Sequence, residues 1–194
     1  MNNLIQKAIL TAIKAHEGEV RKGDGKTPYI LHPLEVGIEL SHYTTNEELI
    51  AAAILHDTVE DGDYDSNQLT QDFGESVSAL VGLLTEDKKI ASWAERKQEK
   101  INRLRTNQTA YIIKVVDIYA NMRDLASAIR QAGEIVWQKF NASRQEEINY
   151  FRLVLEDSKS FLPSDLLEKY VTALKDLEYA HLLVESGESI GFKG

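Results

Sequence analysis

The sequence predicts an all-α fold, a single compact bundle of about eight to ten helices, from two observations. Apolar residues recur at helical spacing along most of the 194 residues. Strand signals are weak, because β-branched runs are short and no Asn-Gly turn separates alternating segments. With 43% hydrophobic and 27% charged residues and no cysteine, the chain can bury one core without disulfides or a thiolate zinc site.

The first predicted helices follow from apolar stripes and from the residues that begin them. Residues 4–13 carry the first stripe, which His16 extends. The polar, glycine-rich segment 17–28 predicts a loop. Pro33 can occupy the first turn of a second helix over about 34–42, because a helix needs no donor there.

The middle of the chain predicts three further helices. Asn46 can cap a helix that carries the apolar run before residue 55. A short helix over about 67–73 should end at Gly74, and a new apolar stripe should follow it. Ser92 and Glu95 have the spacing of a capping box, which predicts the start of a charged helix.

The C-terminal half predicts the most apolar helix over 108–130, another over about 133–158, and a last one that begins at Pro163. We see no boundary inside the bundle, so residues 1–185 are predicted to form one domain and 186–194 a short tail. The apolar side of the last helix could pack on the core or form the face of a homodimer.

Charge and hydropathy exclude some classes of function. A net charge of −9 argues against a duplex nucleic-acid binder, which usually carries a basic face. The N-terminus shows no signal-peptide pattern, and no apolar run approaches the length of a membrane span. We therefore expect a cytoplasmic protein that acts on a small molecule, with neither nucleic acid nor membrane as its partner.

The segment 51–61, AAAILHDTVED, is the most informative part of the sequence. An apolar helical run leads to His56, Asp57, Glu60 and Asp61, and a continuing helix would bring them together in pairs one turn apart. Burying such charges is costly unless they are paired or bind a metal. Imidazole and carboxylate ligands suit Mn, Fe or Zn. The alternative is a helix cap followed by a solvated turn.

Two more residues extend this pattern. Asp117 lies inside an apolar helical run, so it is either a metal ligand or half of a buried ion pair with Lys114 or Arg123. His32 begins a helix after a basic loop and could simply cap that helix. Together with His56 and Asp57 they form a set from three helices, which is how an all-helical metal site is built. The other histidines, His16, His42 and His181, are not assigned to the metal.

The segments 21–33, 56–61 and 114–125 resemble the hydrolase domain of the RelA/SpoT alarmone enzymes, an HD-type domain. The order TPYI-HP, HDTVED and KxxD-xxxN carries the resemblance, which extends over about residues 5–180. The similarity is greatest to the small stand-alone hydrolases, including the metazoan SpoT homologue.

This resemblance implies a role for each candidate residue. It implies that a divalent metal, usually Mn²⁺ although others are accepted, is bound by His32, His56, Asp57 and Asp117. It implies that Glu60 and Asp61 act on the attacking water. The residues that it implies for substrate binding are Arg21, Lys22, Lys88, Asn121 and Tyr150.

The implied activity is Mn²⁺-dependent 3′-pyrophosphohydrolysis of guanosine 3′,5′-bis(diphosphate) and its pentaphosphate. Ile118 and Ala120 depart from the family, which has a basic residue at the first position and often His or Tyr at the second. These departures leave other substrates open, namely (p)ppApp, NADPH or a nucleoside monophosphate. The remaining alternative is a non-catalytic, nucleotide-binding HD domain.

Overall fold

The structure is a computed structural model that describes residues 4–60 and 64–186, with side chains up to residue 180. This part of the chain forms eight α-helices and a 3₁₀ helix, Gly133–Lys139, which confirms the predicted all-α fold. The α-helices are Leu4–Ala15 (α1), Leu31–Ser41 (α2), Glu47–Ile54 (α3), Ser66–Leu84 (α4), Trp93–Leu104 (α5), Gln108–Ala132 (α6), Arg144–Ser158 (α7) and Ser164–Ser186 (α8).

Helix α6 is the centre of the bundle. It is 25 residues long, and most of its residues are buried because α2, α7 and α8 pack against it. On the other side, α3 packs against α1, α2 and α4, and its residues 50–54 are all buried. The ends of α2, α3 and the middle of α6 therefore meet in the interior, where the candidate metal ligands lie.

Several predicted helix boundaries are confirmed by their caps. The side chain of Asn46 accepts a hydrogen bond from the Glu48 amide, and Ser92 accepts one from the Glu95 amide. Gly74 interrupts α4 with a φ of 84°, which separates the short helix before it from the stripe after it.

The predicted helix over about 133–158 is wrong. Gly133 has a φ of 71° and ends α6, so the chain continues as a 3₁₀ helix to Lys139. The next α-helix begins only after Ser143, which forms a capping box with Glu146. The apolar pattern continued through this break, so periodicity alone did not reveal it.

Two other boundaries differ from the prediction. Helix α2 begins at Leu31 rather than near residue 34, and so includes both His32 and Pro33 in its first turn. Helix α3 ends at Ile54, and the following residues form turns, so the proposed continuation of this helix to residue 61 does not occur in its described part.

Helix α8 uses its apolar side inside the molecule. Leu166, Tyr170, Leu174 and Leu177 are buried against the core, mainly through the packing of α8 on α6. The predicted tail from residue 187 onward lies outside the described residues. Among the helices that the structure describes, none combines the length and the hydropathy needed to cross a bilayer.

Candidate active site

Four candidate ligands come together from three parts of the chain. His32 lies in the first turn of α2, and Asp117 in the middle of α6. His56 and Asp57 lie in the turn that directly follows α3. His32, His56 and Asp117 are buried, because all three elements end or cross inside the core.

The imidazole and carboxylate groups face one another at short distances. Nε2 of His32 is 3.0 Å from Oδ1 of Asp117, and Nε2 of His56 is 3.0 Å from Oδ2 of Asp57. The two crossed distances are 3.8 Å, from His32 to Asp57, and 3.6 Å, from His56 to Asp117. Ligand atoms of His32, His56 and Asp57 all lie within 4.8 Å of one another, which is close enough for one metal ion.

The hydrogen bonds of His56 fit a metal ligand. Its Nδ1 is 2.8 Å from the carbonyl oxygen of Ala53, so Nδ1 carries the proton and Nε2 presents a lone pair to the cluster. Nε2 is buried, and the atoms that it faces are carboxylate oxygens of Asp57 and Asp117. Imidazole nitrogens beside carboxylate oxygens suit a divalent transition metal, so these residues fit such an ion.

The protonation of the two imidazoles depends on their surroundings. Burial lowers the pKa of His32, which favours the neutral ring that a metal requires. Burial also acts to lower the pKa of His56, but Asp57 and Asp117 outweigh it and raise this pKa to about 10. A cation in the cluster would compete with that proton for the same lone pair.

Asp117 has a separate partner for each carboxylate oxygen. Oδ2 accepts a hydrogen bond from Nζ of Lys114 at 2.5 Å, and Oδ1 accepts one from Nδ2 of Asn121 at 2.7 Å. Oδ1 is also the atom that faces the imidazoles. The two sequence alternatives for Asp117, metal ligand and ion pair with Lys114, are therefore compatible in one side chain.

Glu60 points toward α5. Its Oε2 accepts hydrogen bonds from the Glu86 amide at 3.0 Å and from Nζ of Lys100 at 3.2 Å. The sequence predicted that His56 and Glu60 would lie one helical turn apart if the helix continued. Because α3 ends at Ile54, they do not. Asp61 lies outside the described residues.

A cavity of about 1010 Å³ opens beside Asp57 and Asp117. Glu60 lines it, as do all the residues expected to bind substrate, Arg21, Lys22, Lys88, Asn121 and Tyr150. This volume lies at the upper end of the range for small-molecule sites and is large enough for a nucleotide.

The loop before α2 is bound to α6 through Arg21. The guanidinium of Arg21 donates to Oδ2 of Asp124 at 2.9 Å and to Oδ1 of Asn121 at 2.8 Å. Its carbon lies 5.5 Å from the ring centre of Tyr29. Lys88, which also lines the cavity, donates to the backbone carbonyl of Glu60. Both basic residues therefore have fixed positions at the cavity.

Sequence reasoning missed the contribution of α5. Trp93, Arg96, Lys97 and Lys100 line the cavity, and Lys100 is only 3% exposed. The helix is so rich in charge that it resembles a solvated surface helix. The available signal was the spacing of Trp93, Lys97 and Lys100, which places them on one face.

The two unassigned histidines whose side chains are described, His16 and His42, each face a glutamate. His16 is buried, and its Nδ1 is 2.8 Å from Oε2 of Glu19, in keeping with a supporting position in the core. His42 is exposed at the end of α2. The side chain of His181 lies outside the described part.

Comparison with known proteins places these features in a family. Residues 8–147 match the HD_4 model of the HD domain. Guanosine-3′,5′-bis(diphosphate) 3′-pyrophosphohydrolase MESH1 from Xenopus tropicalis is 36% identical over 63% of this chain and 69% of its own length. The Danio rerio MESH1 is 38% identical over 59% of this chain and 64% of its own length. The chain thus matches about two thirds of these curated relatives.

A solved structure shares the fold. The structure described as "A metazoan ortholog of SpoT hydrolyzes ppGpp and plays a role in starvation responses" superposes with a TM-score of 0.73 at 24% identity. The superposition covers 90% of this chain and 96% of the other. Because the HD model covers more than half of the chain and agrees with the ligand cluster found here, the chain belongs to the HD-domain family, in its RelA/SpoT-related branch.

Proposed function

We propose that this chain is a Mn²⁺-dependent guanosine-3′,5′-bis(diphosphate) 3′-pyrophosphohydrolase, which converts ppGpp and pppGpp to GDP and GTP with release of pyrophosphate. The observation that carries the proposal is the convergence of His32, His56, Asp57 and Asp117 at one side of a nucleotide-sized cavity. The names of the MESH1 relatives supply the reaction and the substrate class.

The reaction transfers a pyrophosphoryl group from the 3′ oxygen of the ribose to water. Water attacks the phosphorus that is attached to the 3′ oxygen, and the bond between them breaks. The oxygen of the water remains in the pyrophosphate, and one of its protons reaches the 3′ oxygen. His32, His56, Asp57 and Asp117 would hold a divalent ion, which would supply Lewis acidity to the water and the phosphate when bound.

The other site residues have proposed roles in this reaction. Glu60, together with Asp61, orients the attacking water and accepts its proton. Arg21, Lys22 and Lys88 neutralise phosphate charge, Asn121 contacts the nucleotide, and Tyr150 binds substrate from the cavity wall. The location of Glu60 and of the five expected substrate-binding residues at the cavity supports the assignment. Manganese as the physiological ion, the cytoplasm as the compartment and a homodimer remain predictions.

The first test is hydrolysis of ppGpp by the purified chain with Mn²⁺ and with EDTA. We expect pyrophosphate release with Mn²⁺, little with EDTA, and a loss of at least about 10²-fold in Asp57→Ala. Asp176→Ala, which removes an exposed carboxylate on α8, is the matched control and should keep full activity. If ppGpp and pppGpp stay intact while the metal is bound, the proposal is wrong.

A second substrate class is favoured by Ile118. Ile118 lines the cavity, whereas Ala120 is buried and is not among the residues that line it. An apolar side chain at the position where the family has a cation can change which nucleotide fits. We therefore include ppApp, NADPH and nucleoside monophosphates in the same assay, with phosphate and pyrophosphate measured separately. A faster reaction with any of these would replace ppGpp as the substrate.

The non-catalytic alternative makes a different prediction. A domain that only binds nucleotides would need no metal, so neither bound metal nor stabilisation by Mn²⁺ would be measured. The presence of the four candidate ligands, with Nε2 of the buried His56 facing carboxylate oxygens of Asp57 and Asp117, supports the enzyme instead.

A further inference from the structure

Three lysines face the cavity from two neighbouring helices. Lys97 and Lys100 lie on α5, and Lys114 lies on α6 next to Asp117. Lys100 and Lys114 are buried, and the side chain of Lys97 is only 20% exposed. Buried ammonium groups are unfavourable unless carboxylates or a bound anion compensate them.

The carboxylates around this lysine cluster are shared. Oε1 of Glu86 is 2.5 Å from Nζ of Lys97 and 3.2 Å from Nζ of Lys100, and its Oε2 also accepts a hydrogen bond from Arg96. Lys100 reaches Glu60 as well, at 3.2 Å. Two carboxylates, those of Glu60 and Glu86, therefore compensate three cations, Arg96, Lys97 and Lys100.

Two further carboxyl groups, those of Asp117 and Glu147, lie near these lysines and compensate their charge only in part. Asp117 pairs with Lys114, but its other oxygen faces His32 and His56 and belongs to the candidate metal cluster. Glu147 also lines the cavity, and burial raises its pKa, which weakens its tendency to be charged. Once a cation occupies the cluster, Asp117 is shared with it and the lysines carry surplus positive charge.

The hydroxyl of Tyr150 is a further donor that lacks an acceptor. Tyr150 is buried and lines the cavity, and its hydroxyl has no hydrogen-bond partner in the part of the chain that is described. Nζ of Lys97 lies 5.3 Å from the centre of the Tyr150 ring and 5.6 Å from that of Trp93. Buried hydroxyl groups are normally satisfied, so an acceptor supplied by a ligand is expected here.

We propose that Lys97, Lys114 and the Tyr150 hydroxyl, together with the buried Lys100, form the subsite that binds the pyrophosphate group that is cleaved from the 3′ oxygen and transferred to water. The assignment rests on the proposed function, because it needs a substrate that loses pyrophosphate. A pyrophosphate has enough oxygens and charge to reach all these donors, whereas a single phosphate has too few to compensate the cluster. The subsite thereby selects substrates with two phosphates on the cleaved side.

The test measures binding of inorganic pyrophosphate to the protein loaded with Mn²⁺ by titration calorimetry. Lys97→Gln and Tyr150→Phe should each raise the Kd for pyrophosphate by about tenfold, the usual effect of losing one charge-assisted hydrogen bond. The Kd for orthophosphate and for GDP should change much less. The matched controls are Lys159→Gln, which changes an exposed lysine paired with Glu156, and Tyr43→Phe, which removes a hydroxyl bound to Glu39.

The outcomes separate this inference from the proposed function. An unchanged Kd for pyrophosphate in both variants, or an equal loss of GDP affinity, would overturn the subsite even if ppGpp is hydrolysed. Predicted changes in pyrophosphate binding in a protein that leaves ppGpp intact would support the anion site and contradict the proposed reaction. Tyr150→Phe removes only an unpartnered hydroxyl, so it can be tested even if Lys97→Gln fails to fold.

Discussion

Tyr29 supports the candidate metal cluster through a single hydroxyl group. It donates a hydrogen bond to Oδ2 of Asp57 at 2.5 Å, and its ring lies between those of His16 and His32. The ring is thereby held on two sides, so the hydroxyl has a fixed direction. Groups of this kind orient a ligand without touching the metal.

Tyr29→Phe should weaken Mn²⁺ binding by about 10–100-fold, because Asp57 loses the donor that holds its carboxylate. Calorimetric titration of the metal-free protein with Mn²⁺ measures the effect. Tyr43→Phe, which loses a hydroxyl bound to Glu39, should retain the original affinity. Equal Mn²⁺ affinities in the wild type and Tyr29→Phe would show that the hydroxyl does not position Asp57.

The sequence predicted some of these residues and not others for a physical reason. His56, Asp57 and Asp117 were recognisable as candidates because polar groups that follow or lie within apolar runs need a partner, and His32 because it adds a second imidazole from another helix. Tyr29 and Lys97 were not, because an aromatic residue in a loop and a lysine in a charged helix both have ordinary solvated explanations. Only the packing of α5 beside α6 brings Lys97 to the cavity.

At the level of elements, the junction between α4 and α5 depends on Glu86. Glu86 lies two residues after the end of α4, and its carboxylate pairs with Arg96, Lys97 and Lys100 of α5. Burial alone would raise the pKa of Glu86, but Lys100 and Lys97 outweigh it and lower the pKa to about 2. This group therefore stabilises the folded state as a carboxylate.

Glu86→Gln should lower the free energy of unfolding at pH 7 by about 1–2 kcal/mol, a value already reduced for solvent screening. The folded pKa lies below the ordinary 4.5, so this stabilisation is complete above pH 4.5 and disappears as the pH falls toward 2. Urea unfolding of both proteins at several pH values measures the difference. A difference that does not shrink in acid, or an equal effect from the exposed Glu156→Gln, would contradict it.

Helix boundaries show where the prediction of elements succeeded. Caps with a local signature, such as Asn46 and Ser92, were visible in the sequence and are confirmed. The break at Gly133 was not recognised, because a single glycine within an apolar pattern is also tolerated in a helix. The end of α3 at Ile54 carried no breaker at all, and it depends on the surrounding packing.

For the whole molecule, the cluster joins segments that are distant in sequence. His32, His56 and Asp117 come from separate helices or turns, so a shared ion would cross-link the core. The helical class followed from periodicity, but these long-range contacts did not, since no local pattern states which helices are neighbours. A ligand that binds only the folded cluster must stabilise the entire fold.

Mn²⁺ at a hundredfold excess over its Kd should add about 2.7 kcal/mol of stability. For a chain of this size, this corresponds to a rise in Tm of about 5–10 °C. Thermal unfolding with Mn²⁺, with Zn²⁺ and with EDTA measures the shift, and Asp57→Ala should show almost none. A Tm that does not respond to any divalent ion would contradict the proposed cluster.

Asp117 also couples binding at the candidate metal cluster to binding at the proposed pyrophosphate subsite. One carboxylate oxygen faces the imidazoles and the other binds Lys114, only three residues away on the same rigid helix. A cation bound to Oδ1 would partly neutralise the Asp117 carboxylate. The charge of Lys114 would then be compensated less, and Lys114 would bind an anion more tightly. By linkage, the factor by which metal tightens pyrophosphate binding must equal the factor by which pyrophosphate tightens metal binding. Product release and metal retention would then be coupled, since each pyrophosphate that departs loosens the ion behind it.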